Sequence, residues 1–91
     1  MIVKEELIKH KWKYNESKNQ WEKLGVVICT TPFNFGYNVR YPTTLITYID
    51  TESIEILEDC IKRDIKTYVL NPVLGKNLTL REKRTLKNWI L

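Results

Sequence analysis

From residue 8 to residue 14 the chain alternates without a break. Ile8, His10, Trp12 and Tyr14 take the even positions, and Lys9, Lys11 and Lys13 take the odd ones. A period of two predicts a strand with one wet face. Residues 15–19 are turn formers, and apolar character returns at Trp21 and continues through Leu24-Gly25-Val26-Val27-Ile28-Cys29-Thr30-Thr31. β-Branched residues dominate there, which predicts a second, more buried strand ended by Pro32. An antiparallel hairpin pairing Tyr14 with Trp21 sets Lys13 opposite Glu22 and Ile8 opposite Val27, and both matches are favourable. Residues 1–7 fit either a short strand or a helical turn.

Between Pro32 and Pro42 every odd position is aromatic or Val (Phe33, Phe35, Tyr37, Val39, Tyr41), and every even one is polar or Gly. That alternation predicts an extended segment with one aromatic face, although Asn34, Gly36 and Asn38 favour turns and leave room for an aromatic loop. Residues 43–49 (Thr-Thr-Leu-Ile-Thr-Tyr-Ile) read as a strand.

The period then changes. Ile54, Leu57, Ile61, Ile65 and Tyr68 recur at steps of three and four, with Ile56 and Cys60 beside the stripe, after cap candidates in Asp50-Thr51-Glu52-Ser53. This predicts an amphipathic helix over about 52–67. Acids early and bases late suit its macrodipole, and Glu58–Lys62 and Asp59–Arg63 form i,i+4 pairs. Residues 68–70 fit a further short strand, Asn71-Pro72 ends it, and Gly75 marks a turn. Thr79-Leu80-Arg81-Glu82 is a capping box, which opens a second helix over about 80–90 with Leu86, Trp89 and Ile90 facing inward. The expected fold is α+β: a small antiparallel sheet of three to five strands within residues 7–49, a packed amphipathic helix, and a C-terminal helix. At 91 residues this makes a single domain spanning 1–91.

Charge adds one feature that the pattern does not show. Residues 76–91 carry five cations (Lys76, Arg81, Lys83, Arg84, Lys87) against Glu82, a balance of +4, while residues 1–75 carry ten charges of each sign. The whole net charge therefore rides on the C-terminal basic helix and its entry. Aromatics make up 11% of the chain, a generous supply for a small core. No uncharged run is apolar enough to span a bilayer, so no membrane association is expected. Met1 to Glu6 lacks a basic-then-apolar order, and the expected location is cytoplasmic. Cys29 and Cys60 then read as reduced thiols used as small buried hydrophobes.

Candidate chemistry is sparse. His10 is the single histidine and reads as a half-buried strand residue. No CxxC, HxH or HExxH spacing occurs, Ser17 and Ser53 lack a nucleophile-elbow context, and Gly75-Lys76 lacks the upstream glycine of a phosphate loop. The expectation is a non-catalytic protein with no metal site and no cofactor.

Binding remains. Arg81, Lys83, Arg84 and Lys87, with Lys76 at the helix entry, are candidates for phosphate contacts with nucleic acid or a nucleoprotein. Lys9, Lys11 and Lys13 would add a second basic row, and Arg40 would stand among aromatics able to stack on unpaired bases. The alternative is a protein-binding accessory or inhibitor module of viral or mobile-element type. It would act on a single protein target, such as a host enzyme, through Phe33, Phe35, Tyr37 and Tyr41. Whether the chain is a monomer or a homodimer stays open.

Overall fold

A computed structural model of the chain describes residues 2–30, 36–43 and 45–91. The elements in order are α1 (Lys4–Lys9), β1 (Lys13–Asn15), β2 (Gln20–Lys23), β3 (Val26–Thr30), β4 (Tyr37–Arg40), β5 (Ile46–Ile49), α2 (Ile54–Asp64) and α3 (Leu80–Lys87). Ile65–Val69 prolongs α2 as a π-helical turn. The five strands lie side by side in chain order, every neighbour antiparallel. The fold is α+β.

The alternation over 8–14 proves to be two structures in succession. Glu5 and Glu6 in the first turn of α1 and Lys9 in its last complement the helix dipole, and only Leu7 of this helix is buried. Lys11 then takes a left-handed conformation (φ 73°), with Trp12 N–H donating to Leu7 O and Lys11 N–H to Ile8 O. That is the Schellman pattern of a helix C-terminus. It swings Trp12 into the core, and β1 starts only at Lys13. Ile8 is exposed and does not face Val27. The rest of the expected register holds: Tyr14 pairs with Trp21 and Lys13 with Glu22.

The long apolar run after Trp21 is likewise two strands. Leu24 (φ 45°) and Gly25 (φ 82°) form a two-residue turn with both central residues left-handed, the type I′ geometry that suits the twist of a tight hairpin. β4 and β5 complete the meander. The odd residues of the 37–41 stretch face the helices, since Tyr37, Val39 and Tyr41 are all buried.

Ser53 Oγ accepts from Ile56 N–H and starts α2, which buries Ile54, Leu57 and Ile61. The π turn slows the rotation of the stripe, so Val69 follows Ile65 into the core and Tyr68 stays exposed. Of the expected short strand at 68–70, Tyr68 and Val69 are thus helical and Leu70 caps the helix. Gly75 follows from close packing: a Cβ there would lie 2.0 Å from Val69 O. The capping box of α3 is present, with Thr79 N–H donating to Glu82 Oε1 (2.8 Å) and Glu82 N–H to Thr79 Oγ1 (3.1 Å). Leu86 and Trp89 are buried, and Ile90 packs against the core in part.

One polar cluster joins the layers. Glu58 on α2 accepts from Lys23 Nζ (2.5 Å) and Trp12 Nε1 (3.1 Å), and His10 Nδ1 lies 3.4 Å from its other oxygen. The Lys23 ammonium stands 4.9 Å from the Trp89 ring centre and 5.9 Å from that of Trp12. Glu58 therefore turns into the protein, and among the described residues it makes no ion pair with Lys62. The Lys23 and Glu58 side chains are 16% and 13% exposed. Removing one partner leaves a largely desolvated charge and an unpaired indole N–H. Glu58→Ala is expected to destabilise the protein by about 2–4 kcal/mol in urea unfolding. The double variant Glu58→Ala/Lys23→Met should lose less than the sum of the two single changes; strict additivity would show that the pair is not coupled.

Candidate functional site

α3 presents its cations in one group. At about 100° of rotation per residue, Lys83, Lys87, Arg84 and Arg81 follow one another around the half of the helix that Leu86 and Trp89 leave free, over an arc of about 160°. Arg81, Arg84 and Lys87 are exposed, Lys83 is half-buried, and Lys76 is exposed before the helix. The one acid of this segment, Glu82, is engaged in the capping box. Among the described residues no acid pairs with these cations. Two of them, Arg84 and Lys87, also sit in the last turn, where the dipole favours positive charge.

What holds α3 in place is contact with the β2–β3 turn. Trp89 Nε1 donates to Leu24 O (3.1 Å), and a Cβ on Gly25 would meet Thr85 Cγ2 and Leu86 Cδ2 at ordinary contact distance. Thr85 Oγ1 in turn donates to Arg81 O one helical turn back. The basic arc thus begins beside Gly25.

Gly25 also lines the sheet face turned away from the helices. On that outer face the register sets Lys13, Glu22, Val27, Arg40 and Ile46 in one row. Cys29, Asn38 and Tyr48 lie in the next row. Two open clefts, about 750 Å³ and about 480 Å³, share Lys18, Gln20, Gly25 and Val27 as lining and continue to Lys11 and Lys13 on one side and Arg40 on the other. Gln20 is only 6% exposed although it belongs to this face, so the face is recessed rather than flat.

A hydrogen-bond chain runs across the floor. Arg40 Nη2 donates to Gln20 Oε1 (3.0 Å), Gln20 Nε2 to Glu22 Oε2 (2.7 Å), and Asn15 Nδ2 to the same oxygen (3.0 Å). The bonds from Gln20 and then Asn15 hold the Glu22 carboxyl below its ordinary value against the opposing effect of burial, and the Lys18 charge lowers it further. Lys11, Lys13, Lys18 and Arg40 are all exposed around this one carboxylate.

Several expected site residues lie elsewhere. Phe33 and Phe35 fall outside the described residues. Tyr37 and Tyr41, expected on an aromatic binding surface, are 1% and 5% exposed and belong to the core. Each phenol is tied down there. Tyr37 Oη accepts from Ile2 N–H (2.9 Å), and Tyr41 Oη donates to Asp64 (2.8 Å), which also accepts from Thr47. Burial raises both phenols above their ordinary value, and the Asp64 bond and charge raise Tyr41 further. Lys9, Lys11 and Lys13 are exposed but occupy a helix, a left-handed turn and a strand rather than one strand row. His10 lies after α1 beside Glu6 and Glu58, not in a strand. Cys29 and Cys60 are free and half-buried.

The structure adds Lys18 and Tyr48 to the outer face. Neither carries a signal in one dimension: Lys18 sits in a turn, and Tyr48 reads as one more strand residue. It also shows an apolar patch formed by exposed Ile46, Tyr68 and Leu74 around a groove of about 350 Å³, with Val73 nearby. Among the described residues no three His, Cys, Asp or Glu side chains gather as a metal site. No helix among them is long and apolar enough to cross a membrane. Comparison with protein-family models, curated proteins and solved structures finds no match to this chain.

The Glu22 carboxyl should titrate below the ordinary glutamate value in an NMR pH series. With a depressed folded-state pKa, its contribution to stability is complete above the unfolded-state value of about 4.3 and is lost as pH falls through the lower folded-state one. Gln20→Ala is expected to move the midpoint upward. An unchanged midpoint would mean that the Gln20 amide does not hold the carboxylate.

Proposed function

We propose that this chain is a non-catalytic binding protein that engages nucleic acid, or the nucleic acid of a nucleoprotein, through the basic face of α3. The observation that carries this reading is the grouping of Arg81, Arg84 and Lys87 on the exposed side of one helix whose only acid is occupied by its own cap. Phosphates attract such a surface at long range and release condensed counterions on contact. Lys76 and Lys83 flank the same surface. Arg40 stands apart on the outer sheet face, whose clefts extend to Gly25 beside Thr85 and Leu86 of α3. The capping box and the Glu58 cluster are structural, whereas Arg81, Arg84 and Lys87 have no acidic side-chain partner among the described residues.

A second reading, a protein-binding module acting on a single target, draws support from the patch of Ile46, Tyr68 and Leu74. Contiguous exposed apolar side chains of this kind mark protein interfaces. This surface replaces the aromatic 33–41 segment as the place to look for such a partner.

Salt separates the two. Binding to a nucleic-acid probe, followed by fluorescence anisotropy, should weaken steeply as salt rises. The triple variant Arg81→Ala/Arg84→Ala/Lys87→Ala should bind more weakly and reduce the slope of log K against log salt by roughly 2–3. A slope equal to that of the unmodified protein would remove α3 as the phosphate-binding element. Salt-tolerant capture of one protein, lost on Tyr68→Ala/Leu74→Ser, would favour the second reading instead.

A further inference from the structure

The outer sheet face mixes apolar and polar side chains, and no structural element covers it among the described residues. Four exposed cations (Lys11, Lys13, Lys18, Arg40) border its clefts. We infer that this outer face holds an unpaired nucleic-acid strand, with Lys18 and Arg40 at the clefts as phosphate contacts. Tyr48, one row away and outside the cleft lining, serves as a stacking platform for a base. The inference rests on the nucleic-acid reading above and adds to it the form of nucleic acid that is bound.

Three observations carry it. The first is charge complementarity. Lys11, Lys13, Lys18 and Arg40 surround the floor, and its single carboxylate, Glu22, is already turned into hydrogen bonds from Gln20 and Asn15. A polyanion therefore meets an excess of positive charge, and the acid there is satisfied internally. The second is shape. Gln20 is shielded at the bottom of the clefts while Lys18 and Arg40 stand exposed above it. A flexible single strand can lay its backbone along such a recess. A duplex presents a stiff convex surface with its bases stacked inside, and reaches only the rim.

The third is the aromatic ring. Tyr48 belongs to the outer face through its pairing with Asn38, is 48% exposed, and accepts a hydrogen bond from Gly36 N–H at its hydroxyl. Gly36 packs closely against β5 and its end, because a Cβ there would lie 2.6 Å from Ile49 O, 2.7 Å from Asp50 Cα and 2.8 Å from Tyr48 Cζ. The ring is thus anchored at its hydroxyl while nearly half of the residue remains open to solvent. Positive grooves with anchored rings are the common means of binding unpaired strands, because every base offers a face for stacking. Lys23, which lines the same cleft, is not assigned a role in binding, since its ammonium is committed to Glu58.

The test compares a short oligouridine strand with a blunt duplex of equal length, both read by anisotropy at low salt with the full chain. The unmodified protein is expected to prefer the single strand. Lys18→Ala/Arg40→Ala should weaken strand binding about tenfold and leave duplex binding within about threefold, while the α3 triple variant weakens both. Tyr48→Leu should cost about tenfold on the strand, whereas Tyr48→Phe, which keeps the ring, should not. Circular dichroism checks that Tyr48→Leu is folded; if it is not, the Lys18/Arg40 variant decides, because both side chains are exposed. Strand binding unaffected by Lys18→Ala/Arg40→Ala, or a preference for duplex, overturns this inference and leaves the α3 reading intact. Absence of binding to either probe defeats the nucleic-acid reading itself, and this inference with it.

Discussion

The Lys23 ammonium stands over two adjacent indole rings and against the Glu58 carboxylate, and most of the architecture is organised around that meeting. Lys23 comes from β2, Glu58 from α2, Trp12 from the segment leaving α1, and Trp89 from just beyond α3. Each charge is costly to desolvate alone. Together they satisfy one another, and the ring faces add a favourable field for the cation. Because four segments meet there, the cluster also sets where α3 lies. An eight-residue helix is too short to be stable by itself in water, so its capping box and its docked Trp89 must hold it. The direction in which Arg81, Arg84 and Lys87 point follows from that docking.

A second consequence is the contrast between the two sheet faces. On the inner face Val26, Ile28, Tyr37 and Val39 form a dry core with the helices, and the two buried phenols each find a partner, at Ile2 and at Asp64. On the outer face apolar and polar side chains mix, and cations gather around one internally satisfied carboxylate. With all the described helices serving the inner face, the outer face is left as the surface on which the sheet can meet something else.

Legibility in the sequence varied with the range of the forces involved. The helix starting at Ser53, the capping box at Thr79 and the strand before Asp50 follow from contacts within a few residues, and each can be read directly. The same holds for the Tyr14–Trp21 pairing, whose register is set by the adjoining turn. The reading failed where a long-range demand redirected a local pattern. Trp12 continues the alternation of 8–14, yet its indole is needed beside Glu58, and the left-handed turn at Lys11 follows. Leu24-Gly25 was hidden inside an apolar run because leucine rarely takes a positive φ. Tyr68 continues the α2 stripe in one dimension, but the π turn delivers Val69 to the core instead.

The amino-acid order alone determined that a basic helix begins at Thr79, that β-strands fill the middle of the chain, and that the excess positive charge lies at one end. Periodicity, caps and composition are local properties, and the chain expresses them wherever it goes. Tertiary structure decided the rest. It buried Tyr37 and Tyr41 rather than displaying them, turned Glu58 inward, and brought Lys18 and Arg40 to one cleft, with Tyr48 on the same side of the sheet, from three separate segments. Such choices depend on which surfaces meet across tens of residues, and only the packed core, where one side of the sheet must exclude water, settles them.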